Sequence, residues 1–511
     1  MAYIRYVNSP RGTIYASIVE GERTGKRVKQ KYIGNLGKVI DREKGIYKNR
    51  ERGVYEYSLE GGYAEKASDW EETAVKEEDE KLILDFGDAY VIDEYMRKLP
   101  FYGAYRLVMP TYEDTMFSLL YYRILTEKKA YCYAETWWLG SYVRMLYPEA
   151  KLQSQRVSEF LAKLGEEGRQ RRFFSEYLAA LYGNNGGTTG VLIDSTGMAN
   201  ASKMELTQVS NHNGEVSMEI RLIYVIDRRN GMPIYFRYCA GNVVDVSTLC
   251  VTLAELAQFN IAIDCAIVDA GYFSEENIKE LYRNEIHFVT RLAPNRTIYK
   301  QVAKSELFDI LSSRYAVRYG NRLVYLKKKE VDVYGYTGYA YVGVDIDSRN
   351  QQFKRIAFEA IDDKKSPEEM DEQLAKLGVF MLLSSDNMGT DEILPLYYMR
   401  QQIEQVFDIG KNYADLLPLR VQSEDTLRGH LMLTFMATAV IQMLQRDIIA
   451  KRKKKDKVNP EGALLTLRNQ KCKVYSHSIV PQERVKSVND LYKLLDVLCP
   501  ISIPRTHVLL C

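Results

Sequence analysis

A chain of 511 residues with 46% hydrophobic and 27% charged residues is too long for one ordinary domain and has the composition of a soluble globular protein, so three or four units are expected. The formal net charge of +2 excludes a simple polycation, and any nucleic-acid surface must be local. Seven scattered cysteines without a C-x2-C pair exclude a zinc ribbon or disulfide framework, and no signal peptide or bilayer-length apolar run is read, so a reduced, cytoplasmic compartment is expected.

Residues 1–60 alternate in short runs separated by glycine, such as Thr13 to Val19 and Val28 to Ile33, and predict a small antiparallel sheet. Residues 61–82 are rich in charge and read as a linker. From 83 to 185 the apolar period lengthens, as in Val157 to Leu164, which predicts a helical region ending at Asn184-Asn185-Gly186-Gly187.

Beyond that break the pattern becomes strand, hairpin, helix, strand. Val191-Leu192-Ile193-Asp194 predicts a buried strand ending in an acid, and Val216 to Asp227 with Met232 to Cys239 predicts a hairpin turning at Arg229-Asn230-Gly231. Asp245 is expected to cap a helix running to Phe259, and Ser274 the next one, because both side chains can accept free first-turn amides. Between them Cys265 to Asp269 is a second apolar strand ending in an acid, and His287 to Leu292 supplies another strand. Residues 186–294 and 380–450 together form the expected core. Residues 295–379, alternating and Tyr-rich, are expected as a β-rich insertion, and 451–511 as a basic loop and tail. The run Lys451 to Lys457 suits a phosphate contact and a solvated loop equally.

Tyr397, Arg400, Glu404 and Lys411 follow the spacing Y-x2-R-x3-E-x6-K in a stretch that reads as one amphipathic helix. At about 100° per residue the four fall within roughly 60° of one another, with Met399, Ile403, Val406 and Phe407 to one side. Arg400 and Glu404 at i,i+4 also suit an ordinary solvated ion pair. If Asp194 and Asp269 end neighbouring strands, Glu404 completes a three-carboxylate cluster that needs a cation, and oxygen-only ligation suits Mg2+ or Mn2+. Two such ions can activate a water or 3′-hydroxyl and stabilise a leaving oxygen. His212 and His287 are assigned no metal role.

Asp194-Ser195-Thr196, Asp269-Ala270-Gly271-Tyr272 and the Tyr397/Arg400/Glu404/Lys411 set together resemble the DDE transposases of the IS4 group of insertion sequences. Arg27 to Gly37, Gly241-Asn242-Val243-Val244-Asp245 and Arg428-Gly429-His430 resemble landmarks of its IS1634 family, over nearly the whole chain. The resemblance implies a multidomain α+β protein. Its RNase H-like α/β catalytic core carries Asp194, Asp269 and Glu404 as catalytic metal ligands for two ions, and a β-rich insertion interrupts that core. A small N-terminal β domain and a helical region precede it. Tyr397, Arg400 and Lys411 are implied as DNA contacts, and Arg420, Arg428 and His430, which follow the signature, are expected to add to them.

The implied reaction is metal-dependent cleavage at the element's ends and strand transfer into target DNA. Members of the IS4 group can pass through a hairpin at the transposon end. In the best-known branch a tryptophan of the insertion stacks on a flipped base, but here tryptophan stands only at Trp70, Trp137 and Trp138, and the insertion carries tyrosines instead. The expected partners are terminal inverted repeats, target DNA and a second copy of the chain, with no membrane, in the nucleoid of a prokaryotic cytoplasm. End recognition is expected in residues 1–182, because the core shows no base-reading motif. A DNA-binding protein without catalysis, or an RNase H-like nuclease, are the alternative functions.

Overall fold

The computed structural model describes residues 2–9, 13–24, 27–64, 82–127, 130–200, 202–212, 215–362, 376–412, 414, 416–417, 419, 421–453 and 457–505. The charged stretch around Glu71 to Glu80, most of the expected linker, lies outside them, as do Arg420 and part of the Lys451 to Lys457 run. Two compact units divide the chain, Met1–Asp79 and Glu80–Cys511.

The first unit is a six-stranded antiparallel meander, β1 (Ala2–Asn8), β2 (Ile14–Thr24), β3 (Arg27–Asp41), β4 (Ile46–Asn49), β5 (Gly53–Ser58) and β6 (Gly62–Ala64). Period-2 alternation puts Ala16, Ile18, Tyr47 and Tyr55 on a buried inner face. The sheet curls, since the hydroxyls of Tyr6 on β1 and Tyr47 on β4 meet at 3.1 Å across two intervening strands.

The second unit opens with β7 (Leu82–Asp85) and the helices α1 (Gly87–Arg97), α2 (Phe101–Val108), α3 (Glu113–Leu125), α4 (Ala134–Leu139), α5 (Val143–Leu146), α6 (Ser154–Leu164) and α7 (Glu167–Tyr182). There follow β8 (Gly187–Ala199), β9 (Gln208–His212), β10 (Glu215–Asp227), β11 (Pro233–Ala240), α8 (Leu249–Gln258), β12 (Ile261–Val268), α9 (Glu275–Arg283) and β13 (His287–Arg291). Next come α10 (Thr297–Glu306), β14 (Ala316–Tyr319), β15 (Arg322–Val333), β16 (Tyr336–Asp345), α11 (Ile346–Asp362) and β17 (Val379–Ser384). The chain ends with α12 (Thr390–Tyr398), α13 (Gln401–Asn412), α14 (Glu424–Lys451), α15 (Pro460–Leu467), β18 (Lys471–Val474), β19 (Ser478–Pro481), α16 (Lys486–Leu495) and β20 (Ile503–Pro504).

A ten-stranded sheet dominates, in the order β11-β10-β8-β12-β13-β17-β16-β15-β14, with β9 paired to β10. β8, β12 and β13 are mutually parallel and the other pairs antiparallel. Val191, Leu192 and Ile193 on β8 and Ala266, Ile267 and Val268 on β12 are buried, as continuous apolar runs must be in strands covered on both faces. Among the described residues of 295–379 there is no separate sheet. Their strands β14, β15 and β16 extend the same sheet through β17, and the segment also carries the helices α10 and α11. Alternation along Arg322–Val333 marks a strand with one buried face; it carries no information about which sheet that strand joins.

α14 is long and apolar enough to cross a membrane by composition, yet its apolar stretch is buried inside the protein. It is the axis of the helical layer. Phe435 on α14 meets Phe174 and Tyr177 of α7 and Phe236 of β11 with ring centroids at 5.5, 5.8 and 5.5 Å, so helices and sheet share one core. The tail returns to the start of the unit, where β18 pairs with β7 in a four-stranded sheet.

Candidate active site

β8 and β12 run in parallel register up to the pair Ile193 and Val268, and there they part: β12 ends, while β8 continues against β10 to Ala199. Asp194 and Asp269 are the residues that follow this last pair. A crevice opens at the carboxyl ends of parallel strands, where the chain direction changes. Asp194 therefore lies within its strand, not at its end, and the feature that exposes it is the departure of its neighbour.

Glu404 comes from α13. The expected single signature helix is two helices, α12 and α13, broken at Met399 and Arg400. Pro395 lies within α12, and the junction is tightened by bonds of three-residue spacing, from the Arg400 amide to Tyr397 O (3.0 Å), Gln402 to Met399 O (2.8 Å) and Ile403 to Arg400 O (3.0 Å). Ile403, Val406 and Phe407 are buried, which docks α13 and leaves Glu404 facing outward.

Arg400, at the break, gathers the acids. Its Nη1 lies 2.8 Å from Asp269 Oδ1, and its Nη2 lies 3.3 Å from Asp194 Oδ2 and 3.2 Å from Glu404 Oε1. Tyr397, buried beside it, accepts from Nη1 at 3.4 Å. Burial works against the Arg400 charge, but Asp194 and Asp269 outweigh it and hold its pKa above the ordinary value. Burial raises the Asp194 carboxyl to about 6 against the pull of Arg400 and of the Ser195 amide, which donates to Oδ1 at 2.8 Å. Lys411, in the last turn of α13, donates to Thr196 Oγ1 at 2.6 Å, and burial lowers its pKa against the opposing charge of Glu219.

The structure thus brings together Asp194, Asp269, Glu404, Tyr397, Arg400 and Lys411. It does not bring Arg428 or His430 to them. The Arg428 guanidinium is committed to Glu424 (3.0 Å), Asp425 (3.1 Å), the Tyr238 hydroxyl (2.8 Å) and Gly165 O. His430 is buried on α14 between Arg123 (3.1 Å) and Leu416 O (3.3 Å), and burial followed by the Arg123 charge holds its pKa well below the ordinary range. Their sequence position after the signature suggested the cleft. Both instead lie on the buried face of α14, in the helical core.

Residues that the sequence did not mark as part of the site stand beside it. Asp245 is not a helix cap: α8 begins at Leu249, and the Asp245 side chain accepts from Arg221 Nη1 (2.7 Å) and Ser195 Oγ. The signal was the alternation Ser217, Glu219, Arg221 in an otherwise apolar strand, which puts charge on one face of a buried β10.

The profile of the Transposase DDE domain family matches residues 185–440, half of the chain, and spans every residue of this cluster. The chain belongs to the DDE transposase family. It is a DNA transposase, an enzyme of DNA cleavage and joining, and DDE transposases use divalent metal ions. Among solved structures this transposase is similar to the piggyBac transposase, imaged by cryo-EM as a synaptic complex with hairpin DNA. That likeness has 10% identity and a TM-score of 0.37, and covers 75% of this chain and 79% of the other. No curated protein matches the chain.

Proposed function

We propose that Asp194, Asp269 and Glu404 are the catalytic carboxylates of a transposase of the IS4 group, close to the IS1634 family, that cleaves insertion-sequence ends and joins them to target DNA. With β9 set aside as a side strand paired to β10, the strands β8, β10, β11, β12 and β13 lie in the spatial order third-second-first-fourth-fifth, which fits an RNase H-like core. One observation carries the reading: three acids from three separate elements lie within ion-pair distance of one cationic group, Arg400.

A cation is what this arrangement requires, because three carboxylates so placed repel one another without one. Among the described residues no three ligand side chains already close around a point, and Arg400 lies between the acids instead. Oxygen-only donors fit Mg2+ or Mn2+, and two ions are proposed. When bound, such ions activate the attacking hydroxyl and stabilise the leaving oxygen. Arg400, Tyr397 and Lys411 line the same cleft and would bind phosphate oxygens there, Arg400 turning from carboxylate to phosphate. A hairpin at the transposon end and a homodimer joining two ends belong to the same reading.

End recognition is assigned to residues 1–182. Residues 1–64 hold thirteen lysines and arginines against seven acids. On the outer face of the curled sheet, Tyr3 and Tyr32 flank the buried Val19 in one cross-strand row, and Val7, Tyr15, Lys38 and Lys48 form another. Tyr3, Tyr15, Tyr32, Lys38 and Lys48 are exposed, a combination of cations and rings that suits DNA.

The test uses a labelled DNA fragment carrying the element's end, wild-type protein and Glu404→Gln, with Mg2+ or with EDTA, read on denaturing gels. Cleavage at the end by wild type alone and only with metal is expected. Cleavage by Glu404→Gln, or in EDTA, sinks the three-carboxylate reading, and tight end binding without cleavage under any metal condition points to a DNA-binding protein without catalysis.

A further inference from the structure

Behind the two aspartates, on the other side of the sheet, stands a clamp that the reaction itself does not call for. Ser195 and Arg221 share one face of β8 and β10, opposite the face of Asp194 and Thr196, since Ile223 pairs with Ser195 and Arg221 with Gly197. Arg221 is buried, its side chain 5% exposed, and its Nη1 donates to Asp245 Oδ1 at 2.7 Å and to Ser195 Oγ at 3.1 Å. Ser195 Oγ in turn donates to the same Asp245 oxygen. The backbone amide of Ser195 is the donor that holds Asp194 Oδ1. Asp245 is thereby one side chain removed from the group that orients the first carboxylate.

The same short turn reaches the second carboxylate. Asn277, buried on α9, donates from Nδ2 both to Val246 O (2.7 Å) and to Tyr272 O (2.8 Å), tying the Asp245 turn to the turn that follows Asp269. Gly271 in that turn approaches closely enough that a Cβ there would lie 3.2 Å from Asp245 Oδ2. The Tyr272 phenol is buried alongside, where burial and then the charges of Asp245 and Asp194 push its pKa up.

We infer that Asp245 is a positioning residue which, through Ser195, Arg221 and the Asn277-tied turn, fixes the relative placement of Asp194 and Asp269 for metal binding. Arg221 neutralises Asp245, so Asp245 acts through its neighbours and is not itself a ligand. Groups that orient metal ligands from behind typically change affinity by about 10–100-fold when removed. The inference rests on the reading of Asp194 and Asp269 as ligands, and the experiment separates the two.

Full-length wild-type protein, Asp194→Asn, Asp245→Asn and Ser195→Ala are titrated with Mn2+ alone and free Mn2+ is followed by electron paramagnetic resonance, with thermal melting as the check on folding. Ser195→Ala removes the link without unpairing Arg221 from Asp245, so it serves where Asp245→Asn fails to fold. Asp194→Asn is expected to lose the tight Mn2+ sites, and Asp245→Asn and Ser195→Ala to weaken them about tenfold or more. End nicking by the latter two should recover as Mn2+ is raised, which a general folding defect would not do. If Asp194→Asn binds Mn2+ as wild type does, the ligand reading itself fails. If Asp194→Asn loses binding while folded Ser195→Ala and Asp245→Asn both keep wild-type affinity, the positioning role is overturned and the ligand reading stands.

Discussion

Arg400 Nη1 stands 2.8 Å from Asp269 Oδ1, and the other end of the same guanidinium touches Asp194 and Glu404. A side chain placed as a DNA contact by its spacing therefore occupies the position where the acids need positive charge. Its Nε is buried without an acceptor among the described residues, so this is not a fully satisfied structural ion pair. At the proposed metal site, a metal ion would compete with Arg400 for the same oxygens. Arg400→Gln is expected to bind Mn2+ about tenfold more tightly, roughly 1.4 kcal/mol, because a competitor is removed. It should also cleave DNA about 10²–10³-fold more slowly, because a preorganised cation for phosphate is lost. Calorimetric titration with Mn2+ checks the first claim, and weaker binding would show that Arg400 orders the acids for metal.

Asp194 has a carboxyl raised by burial to about 6, against 3.8 for the unperturbed group. The sign follows from which state holds the proton. Between pH 3.8 and about 6 the folded protein keeps a proton that the unfolded chain has lost, so acidification through this window stabilises the metal-free fold. Above about pH 6 the ionised buried carboxylate costs on the order of 3 kcal/mol, and that cost disappears as pH falls toward 3.8. In metal-free buffer, the stability of wild type relative to Asp194→Asn should therefore rise as pH is lowered from 7 to 5. Mn2+ affinity should fall over the same interval, since a protonated carboxyl is a poor ligand. Parallel pH profiles of melting temperature for the two proteins would count against the assignment.

The apolar runs around Val191 and Ala266 were legible because burial on both faces demands unbroken hydrophobicity, and acids directly after such runs are conspicuous. Ser274 was legible as a cap for a local reason: its hydroxyl accepts the Asn277 amide at 3.1 Å within one turn. Asp245 carries the same local signal but is drawn away by Arg221, a partner 24 positions distant, and nothing local to Asp245 announces that. The break at Arg400 was hidden because the amphipathic period continues across it, and Pro395, six residues into α12, lies upstream of the break and not at it. Which sheet β15 joins depends on the pairing of β16 with β17, a long-range choice that alternation does not encode.

Lys411 and Arg428 both carried an expected DNA role, and the structure separates them. Lys411 reaches Thr196, two residues from Asp194, whereas Arg428 spends its donors on Glu424, Asp425, Tyr238 and Gly165. Lys411→Met is expected to weaken end binding and to lower the slope of log affinity against log salt by about one, with little effect on folding. Arg428→Met should leave that slope unchanged and cost about 2–3 kcal/mol of stability, the scale of a charged hydrogen-bond network left with unpaired acceptors. Fluorescence anisotropy across a salt series and urea denaturation measure the two quantities. A reduced slope for a folded Arg428→Met would return that residue to the DNA surface.

Gly429 fixes how closely α14 approaches α6. A Cβ built on it would lie 2.0 Å from Leu161 O, and one on Gly165 would lie 1.7 Å from Asp425 O, so on both sides the obstacle is backbone and no side chain can turn away. Gly429→Ala must push the two helices apart or bend one of them, and a loss of about 3 kcal/mol is expected from overpacking in the core. Gly168, near the start of α7, has open space around its Cβ position. Gly168→Ala should therefore gain up to about 1 kcal/mol from helix propensity alone. Chemical denaturation of both variants decides the point. Were Gly429→Ala as stable as wild type, the close backbone contact of α6 and α14 would not be a feature of the folded protein, and the buried placement of Arg428 and His430 would lose its support as well.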